Sequence, residues 1–314
     1  MNPNLVGLVS LMVWGASVPV AKFLMGQIGM LAVIGFIQAF CGVMGLLRQR
    51  YLVKTTFDKA WFKNPYLYGR WFFFCAHVSC IFTACGLVSV ANIPLVILLN
   101  YFWPTAIILC SIRFAGVHVT RPPFLIAGLI LVVASLALEI LSPHSLNAAS
   151  LFSDPQDVTA YCIAFVGAWC WGMYSALSRK GGEQSGGGAV VPLFQITLSI
   201  ALPLSFIPGN AAWDNLELMP ALLLTVYAAL QMLAYMCWDY GMRRGNIVFL
   251  SLCADFMVWI SLGMAYLLLN ASLGLTTVIS GVMLVAGAMI TRYGTLQKAQ
   301  AQAKDQPAPV PTPD

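Results

Sequence analysis

Asn100, Tyr101, Phe102, Trp103 and Pro104 stand in a row inside an otherwise apolar stretch. Pro104 has no N–H, so the carbonyl of Asn100, four residues earlier, loses its helical donor. A freed carbonyl beside an amide, a phenol and an indole makes a polar and aromatic wall for binding a ligand. His77 adds an imidazole that can donate to a carboxylate, stack on a ring or carry a proton. Trp171 and Tyr174 lie at i and i+3, one face of one helix, and Trp14 with Ser17 repeats the spacing. Asp255 is an isolated carboxylate in an apolar run, suited to carrying a proton or to meeting a substrate amine. Asp239 precedes Arg243 by four residues, the spacing of a helical ion pair. The nine cysteines have neither metal-ligand nor disulfide-framework spacing and read as small apolar packers. No metal and no cofactor are expected.

The elements that must hold these residues follow from composition. The chain has 314 residues, of which 60% are hydrophobic and 9% charged, with mean hydropathy +0.83. Soluble domains carry roughly 25% charged residues. Apolar runs of about 20 residues suit helices crossing roughly 30 Å of hydrocarbon. A barrel is excluded, because its strands alternate in polarity while runs such as Leu125 to Leu138 are apolar all round. The reading is an all-α integral membrane protein with spans at 4–25, 28–47, 67–90, 92–114, 124–141, 158–178, 189–208, 218–241, 246–269 and 273–292. The first span has no cationic leader and no small-residue cleavage site, and is expected to be retained.

All Lys and Arg except Lys22 fall on one side of this topology: Arg48, Arg50, Lys54, Lys59, Lys63 and Arg70; Arg113 and Arg121; Arg179 and Lys180; Arg243 and Arg244; Arg292, Lys298 and Lys304. The positive-inside rule makes that side cytoplasmic and puts both termini there. The other loops carry Asp154, Asp157, Asp214 and Glu217.

Shifted by about 155 residues, the chain aligns with itself. Val13-Trp14-Gly15 with Lys22 lies over Cys170-Trp171-Gly172 with Arg179; Asn92-Ile93 and Phe102 lie over Asn246-Ile247 and Phe256; Ile126, Gly128, Leu131 and Val132 lie over Ile279, Gly281, Leu284 and Val285. An odd number of spans per unit forces opposite orientations, so the ten helices read as two inverted five-helix repeats. The expected organisation is a first repeat at 1–141, a periplasmic connecting loop at 142–157, a second repeat at 158–293 and a disordered cytoplasmic tail at 294–314. Lys22 then lies near the outside face, where it can snorkel.

Depth gives the polar residues their meaning. The Asn100 to Pro104 cluster falls roughly 12 to 18 Å into the fourth span, and interrupted helices near midplane point to a transporter site. Asp255 lies about 13 Å into the ninth span, where a carboxylate is costly and functional by default.

These residues resemble the drug/metabolite transporter superfamily (EamA-type), and within it the bacterial aromatic amino-acid exporter branch. Asn100-Tyr101-x-Trp103-Pro104, His77, Trp171 with Tyr174, and Trp238 with Gly241 and Gly245-Asn246 carry the likeness over residues 4–293. The resemblance implies a cavity enclosed by spans one, three, four, six, eight and nine, with His77, Tyr101, Trp103 and Trp171 on its wall and Trp238 in the site. It also implies export of amino acids without ATP from a bacterial inner membrane, by a monomer or homodimer. Asp239 and Asp255 depart from the branch's pattern and would suit a cationic substrate or proton coupling.

The expected function is a secondary transporter that exports neutral, often aromatic, amino acids or similar amphipathic metabolites. A carrier of drugs, organic cations or nucleobase-type metabolites is the alternative. The partners are a small-molecule substrate and the lipid bilayer. No nucleic acid and no ATPase partner are implied, since no Walker-type loop or soluble domain occurs. An aspartyl dyad of Asp239 and Asp255 needs both acids at one depth, which their positions deny, so the chain reads as no enzyme. A receptor or scaffold leaves the midplane polar residues unexplained.

Overall fold

A computed structural model describes residues 2–55, 57–141 and 154–295. Among them ten helical spans are long and apolar enough to cross a membrane: Pro3–Ile28, Met30–Val53, Pro65–Leu87, Ile93–Phe114, Pro122–Leu141, Pro155–Gly181, Glu183–Ser205, Leu218–Arg244, Ile247–Leu269 and Leu275–Tyr293. The protein is an all-helical, multi-pass membrane protein. Most of the connecting loop and nearly all of the tail expected from sequence, residues 142–153 and 296–314, lie outside the described residues.

Several starts are set by an Asx residue followed by proline. Asn2 accepts from the N–H of Asn4, Asn64 from Tyr66 and Asp154 from Gln156, with Pro3, Pro65 and Pro155 in the first turn. The Asx oxygen satisfies one orphan donor, and proline spends no N–H that the helix needs. This cap is why span six begins at Pro155, three residues before the sequence-based boundary.

Breaks inside spans follow the same chemistry. Span one is interrupted at Ala16, span four at Tyr101 and Phe102, and span seven at Ser199 and Ile200. Each break lies two to four residues before Pro19, Pro104 or Pro203, whose missing N–H leaves a carbonyl of the preceding turn unpaired. Span nine breaks at Phe256 without a proline. Phe102 and Phe256 are the residues that the internal alignment pairs, so the interruptions recur at matching places in the two halves.

The spans alternate in direction. On one face Asn4 Oδ1 accepts from the N–H of Asn246 at 2.7 Å, and Arg179 donates to the carbonyls of Arg243 and Gly245 at 2.9 Å. The Gly294 carbonyl there accepts from the N–H groups of Thr120 and Arg121. On the opposite face Asp157 binds Ser89 and Asn92, and the Ala212 N–H reaches the Ile28 carbonyl. Both ends of the described chain lie on the first face.

Span four is innermost, with every residue from Ile93 to Asn100 buried. Span five is peripheral: Ile126, Ile130 and Val133 form an exposed stripe at helical spacing, the face expected toward lipid. Spans five and ten pack backbone to backbone. A Cβ on Gly128 would overlap Gly287 and Thr291, and one on Gly287 would meet Val132 and Gly128. Small residues permit this approach where no hydrophobic effect drives helices together.

Candidate functional site

A cavity of about 60 Å³ lies between spans one, three, four, six, eight and nine. Trp14, Ser17, Val18 and Ala21 line it from span one, and His77, Ile81, Phe82 and Cys85 from span three. Asn100, Tyr101 and Trp103 come from the break in span four, Trp171 from span six, Tyr227, Gln231 and Tyr235 from span eight, and Met257 from the break in span nine. The wall carries aromatic rings, amides and hydroxyls, and no Asp, Glu, Lys or Arg.

The proline break shapes the span-four wall. With Asn100 ending one helical segment and Trp103 starting the next, Asn100, Tyr101 and Trp103 converge on the cavity while Phe102 packs against Phe165 and Trp169. Asn100 is 7% exposed, and its Oδ1 has no partner among the described residues. A buried amide oxygen left unpaired costs free energy that a bound donor would recover. Tyr101 reaches the Trp14 carbonyl at 3.5 Å. His77 Nδ1 lies 2.8 Å from the Gly167 carbonyl. A carbonyl only accepts, so the proton belongs on Nδ1, and Nε2 remains an acceptor in the neutral ring.

The rings form one connected cluster. His77 and Trp171 have centroids 4.6 Å apart, Trp14 and Trp171 stand edge to face at 5.2 Å, and Trp14 lies 5.4 Å from Tyr235. Gln231 fixes the Trp14 indole by accepting from Nε1 at 2.9 Å while its own Nε2 donates to Ser17 Oγ at 2.6 Å. Edge-to-face and tilted pairs suit the ring quadrupoles and leave flat faces open to another aromatic group.

The sequence-predicted residues separate into two groups. His77, Asn100, Tyr101, Trp103 and Trp171 line the cavity together; Pro104, Tyr174 and Trp238 do not. Pro104 acts through the break. Trp238 is fully buried behind the wall, 5.4 Å from Trp103 and 5.5 Å from Trp14. Tyr174 packs 4.9 Å from Trp171 with its hydroxyl 3.4 Å from Asp239. Both support the wall from behind because each points one helical step away from the opening.

The two carboxylates also lie off the wall. Asp239 accepts from Arg243 Nε at 2.7 Å, the expected i,i+4 pair, and from Arg70 Nη2 at 3.0 Å. Asp255 is clasped by both terminal nitrogens of Arg292. Arg70 and Arg292, counted among loop cations by sequence, are 0% and 1% exposed. Their long stems reach inward from the span ends, Arg70 adding a second cation to Asp239 and Arg292 neutralising Asp255, which sequence leaves alone. Neither acid offers an unpaired negative charge to the cavity.

Sequence reasoning overlooked Tyr227, Gln231, Tyr235 and Met257. The first three recur every four residues along span eight, and that polar stripe in an apolar helix was a readable signal. Met257 carries none, being one apolar residue among many.

The comparisons bear on this arrangement. Residues 158–293 match the EamA-like transporter family. The chain is similar over almost its whole length to two curated relatives, each named aromatic amino acid exporter YddG. The Salmonella typhimurium protein is 23% identical, with 94% of this chain and 98% of that protein covered. The Escherichia coli protein is 21% identical, covering 93% and 97% respectively. A solved crystal structure superposes with a TM-score of 0.66 at 19% identity, over 94% of this chain and 98% of the other. That likeness concerns the fold. The match to a transporter family covers the second half of the chain, and the cavity lies between spans of both halves, which makes it the candidate place for a small-molecule substrate.

Proposed function

We propose that this protein exports a neutral amino acid with an aromatic side chain, or an amphipathic metabolite of that kind, by alternating access through the central cavity. The observation that carries the reading is the wall itself. It is aromatic and polar but has no charged side chain, so it favours a ligand with a ring and no net charge. The names of the two YddG relatives point the same way.

An organic cation is disfavoured, because the acids that would have attracted it, Asp239 and Asp255, are both held by arginine. Both termini are assigned to the cytoplasm by the positive-inside rule, and the membrane to the bacterial inner membrane. The bundle is read as two inverted halves, 1–141 and 158–293, moving against each other around the site, a reading supported by the paired breaks at Phe102 and Phe256.

Radiolabelled phenylalanine, tryptophan and tyrosine in proteoliposomes of pure protein test the proposal. Saturable counterflow of at least one is expected. His77→Ala and Trp103→Ala should each cut it at least tenfold in protein that still inserts and folds, the loss of about 1.4 kcal/mol of binding. No flux of any aromatic amino acid from folded protein would overturn the reading, as would undiminished flux in both variants.

A further inference from the structure

Lys22 is the one cation next to the cavity that no carboxylate holds among the described residues. Trp14, Ser17, Val18 and Ala21 form the cavity-lining stripe of span one. Lys22 is four residues beyond Val18 and so extends that stripe by one turn. Across the opening, Ile81, Phe82 and Cys85 line the cavity from span three, and Val88 continues that face by three residues. The Lys22 ammonium donates to the Val88 carbonyl at 2.5 Å. Lys22 and Val88 therefore tie span one to span three one turn beyond the cavity-lining residues, toward the face opposite the chain ends.

The charge there is largely unspent. An ammonium has three donors, and the Val88 carbonyl is the one acceptor it meets in the described residues. The acid in electrostatic range, Asp157, forms no ion pair with it. Asp157 is occupied by the Ser89 N–H at 2.7 Å, the Ser89 hydroxyl at 3.0 Å and the Asn92 amide at 2.7 Å. The buried arginines, by contrast, are each held by a carboxylate: Arg70 by Asp239 and Arg292 by Asp255. Lys22 is only partly buried, so an incoming solute can reach it. Snorkelling to a membrane surface accounts for a lysine at a span end. It does not account for one in register with the cavity-lining stripe and tied to the helix that lines the facing wall.

We infer that Lys22 is a specificity-determining residue that selects substrates bearing a carboxylate, by engaging that group one turn beyond the cavity-lining residues. The ring then enters the uncharged aromatic chamber below. This rests on the proposed transport of aromatic solutes and narrows it to aromatic carboxylates, amino acids among them, against the corresponding amines and amides.

Competition against labelled L-phenylalanine counterflow tests it. In the wild-type protein, unlabelled L-phenylalanine should compete at least fivefold better than L-phenylalaninamide, and 3-phenylpropionate better than phenethylamine. Lys22→Gln should bring the acid-to-amide ratio close to one, and Lys22→Arg should keep it. An unchanged ratio in Lys22→Gln, or a wild-type preference for phenethylamine, overturns the inference; the wild-type series decides even if the variant fails to fold. If the wild type carries no phenylalanine, the parent proposal fails at that earlier step, and this one with it.

Discussion

At the scale of single residues, the cavity and the buried ion pairs divide the work. The Asn100 Oδ1 on the wall is open to a ligand, whereas Asp239 and Asp255 are closed on arginine. Asp255 belongs to the second kind. Removing its charge strands a guanidinium that is 1% exposed, and a buried charge left without its partner typically costs about 3–5 kcal/mol. Asp255→Ala should therefore lower the thermal unfolding temperature sharply, and Asp255→Ala with Arg292→Met should recover most of the loss. Because Asp255 is off the wall, the double variant should keep both its substrate affinity and its response to an imposed pH gradient. Loss of that response in stably folded double variant would return Asp255 to a coupling role.

At the scale of elements, one device organises the face that carries the chain ends. Arg70 of span three donates to Ser178 Oγ, Ser185 Oγ, the Gly187 carbonyl and Asp239 within 3.1 Å. It thereby ties spans three, six and eight to the glycine-rich turn at the start of span seven. Gly187 has φ +52°, and a Cβ there would press on Arg243, while one on Gly188 would meet Asp239. The turn is glycine-rich because it lies flat on the ion pairs. Arg70→Ala should leave Asp239 with one cationic partner instead of two and destabilise the fold by about 3 kcal/mol. Arg244→Ala, whose pairing with Glu183 is exposed on both sides, should leave the unfolding temperature unchanged. Equal effects of the two variants would show that the Arg70 contacts are incidental.

The same elements show what was legible beforehand. Asn100, Tyr101 and Trp103 could be read as a wall because a polar run beside proline inside an apolar helix has few other uses. The break at Ala16 was equally readable from Pro19 but needed the rule applied to every proline. Arg70 and Arg292 were not readable, since a span end looks alike whether its arginine turns outward to water or inward to an acid on a distant span. Trp238 and Trp171 are indistinguishable by type and spacing; only packing sends one behind the wall and one onto it.

At the scale of the whole molecule, direction of transport depends on which face is which. The ends of the described chain share a face with Arg48, Arg50, Lys54, Lys59 and Lys63, while the opposite face gathers Asp154, Asp157, Asp214 and Glu217. An excess of Lys and Arg in short loops holds those loops in the cytoplasm during insertion. On this proposed orientation Lys22, and with it the proposed carboxylate-selecting site, faces outward. For an exporter this places the anion-binding end where substrate leaves, so Lys22→Gln should change competition from the outer side more than from the inner. The orientation itself can be measured in intact cells with a cysteine-free variant carrying one new cysteine. Cysteine at Asn210 should react with a membrane-impermeant maleimide from outside, and cysteine at Asp58 should react only after the membrane is opened. The reverse pattern would invert the topology, turn the Lys22 site toward the cytoplasm and make it the entry rather than the exit of the proposed export path.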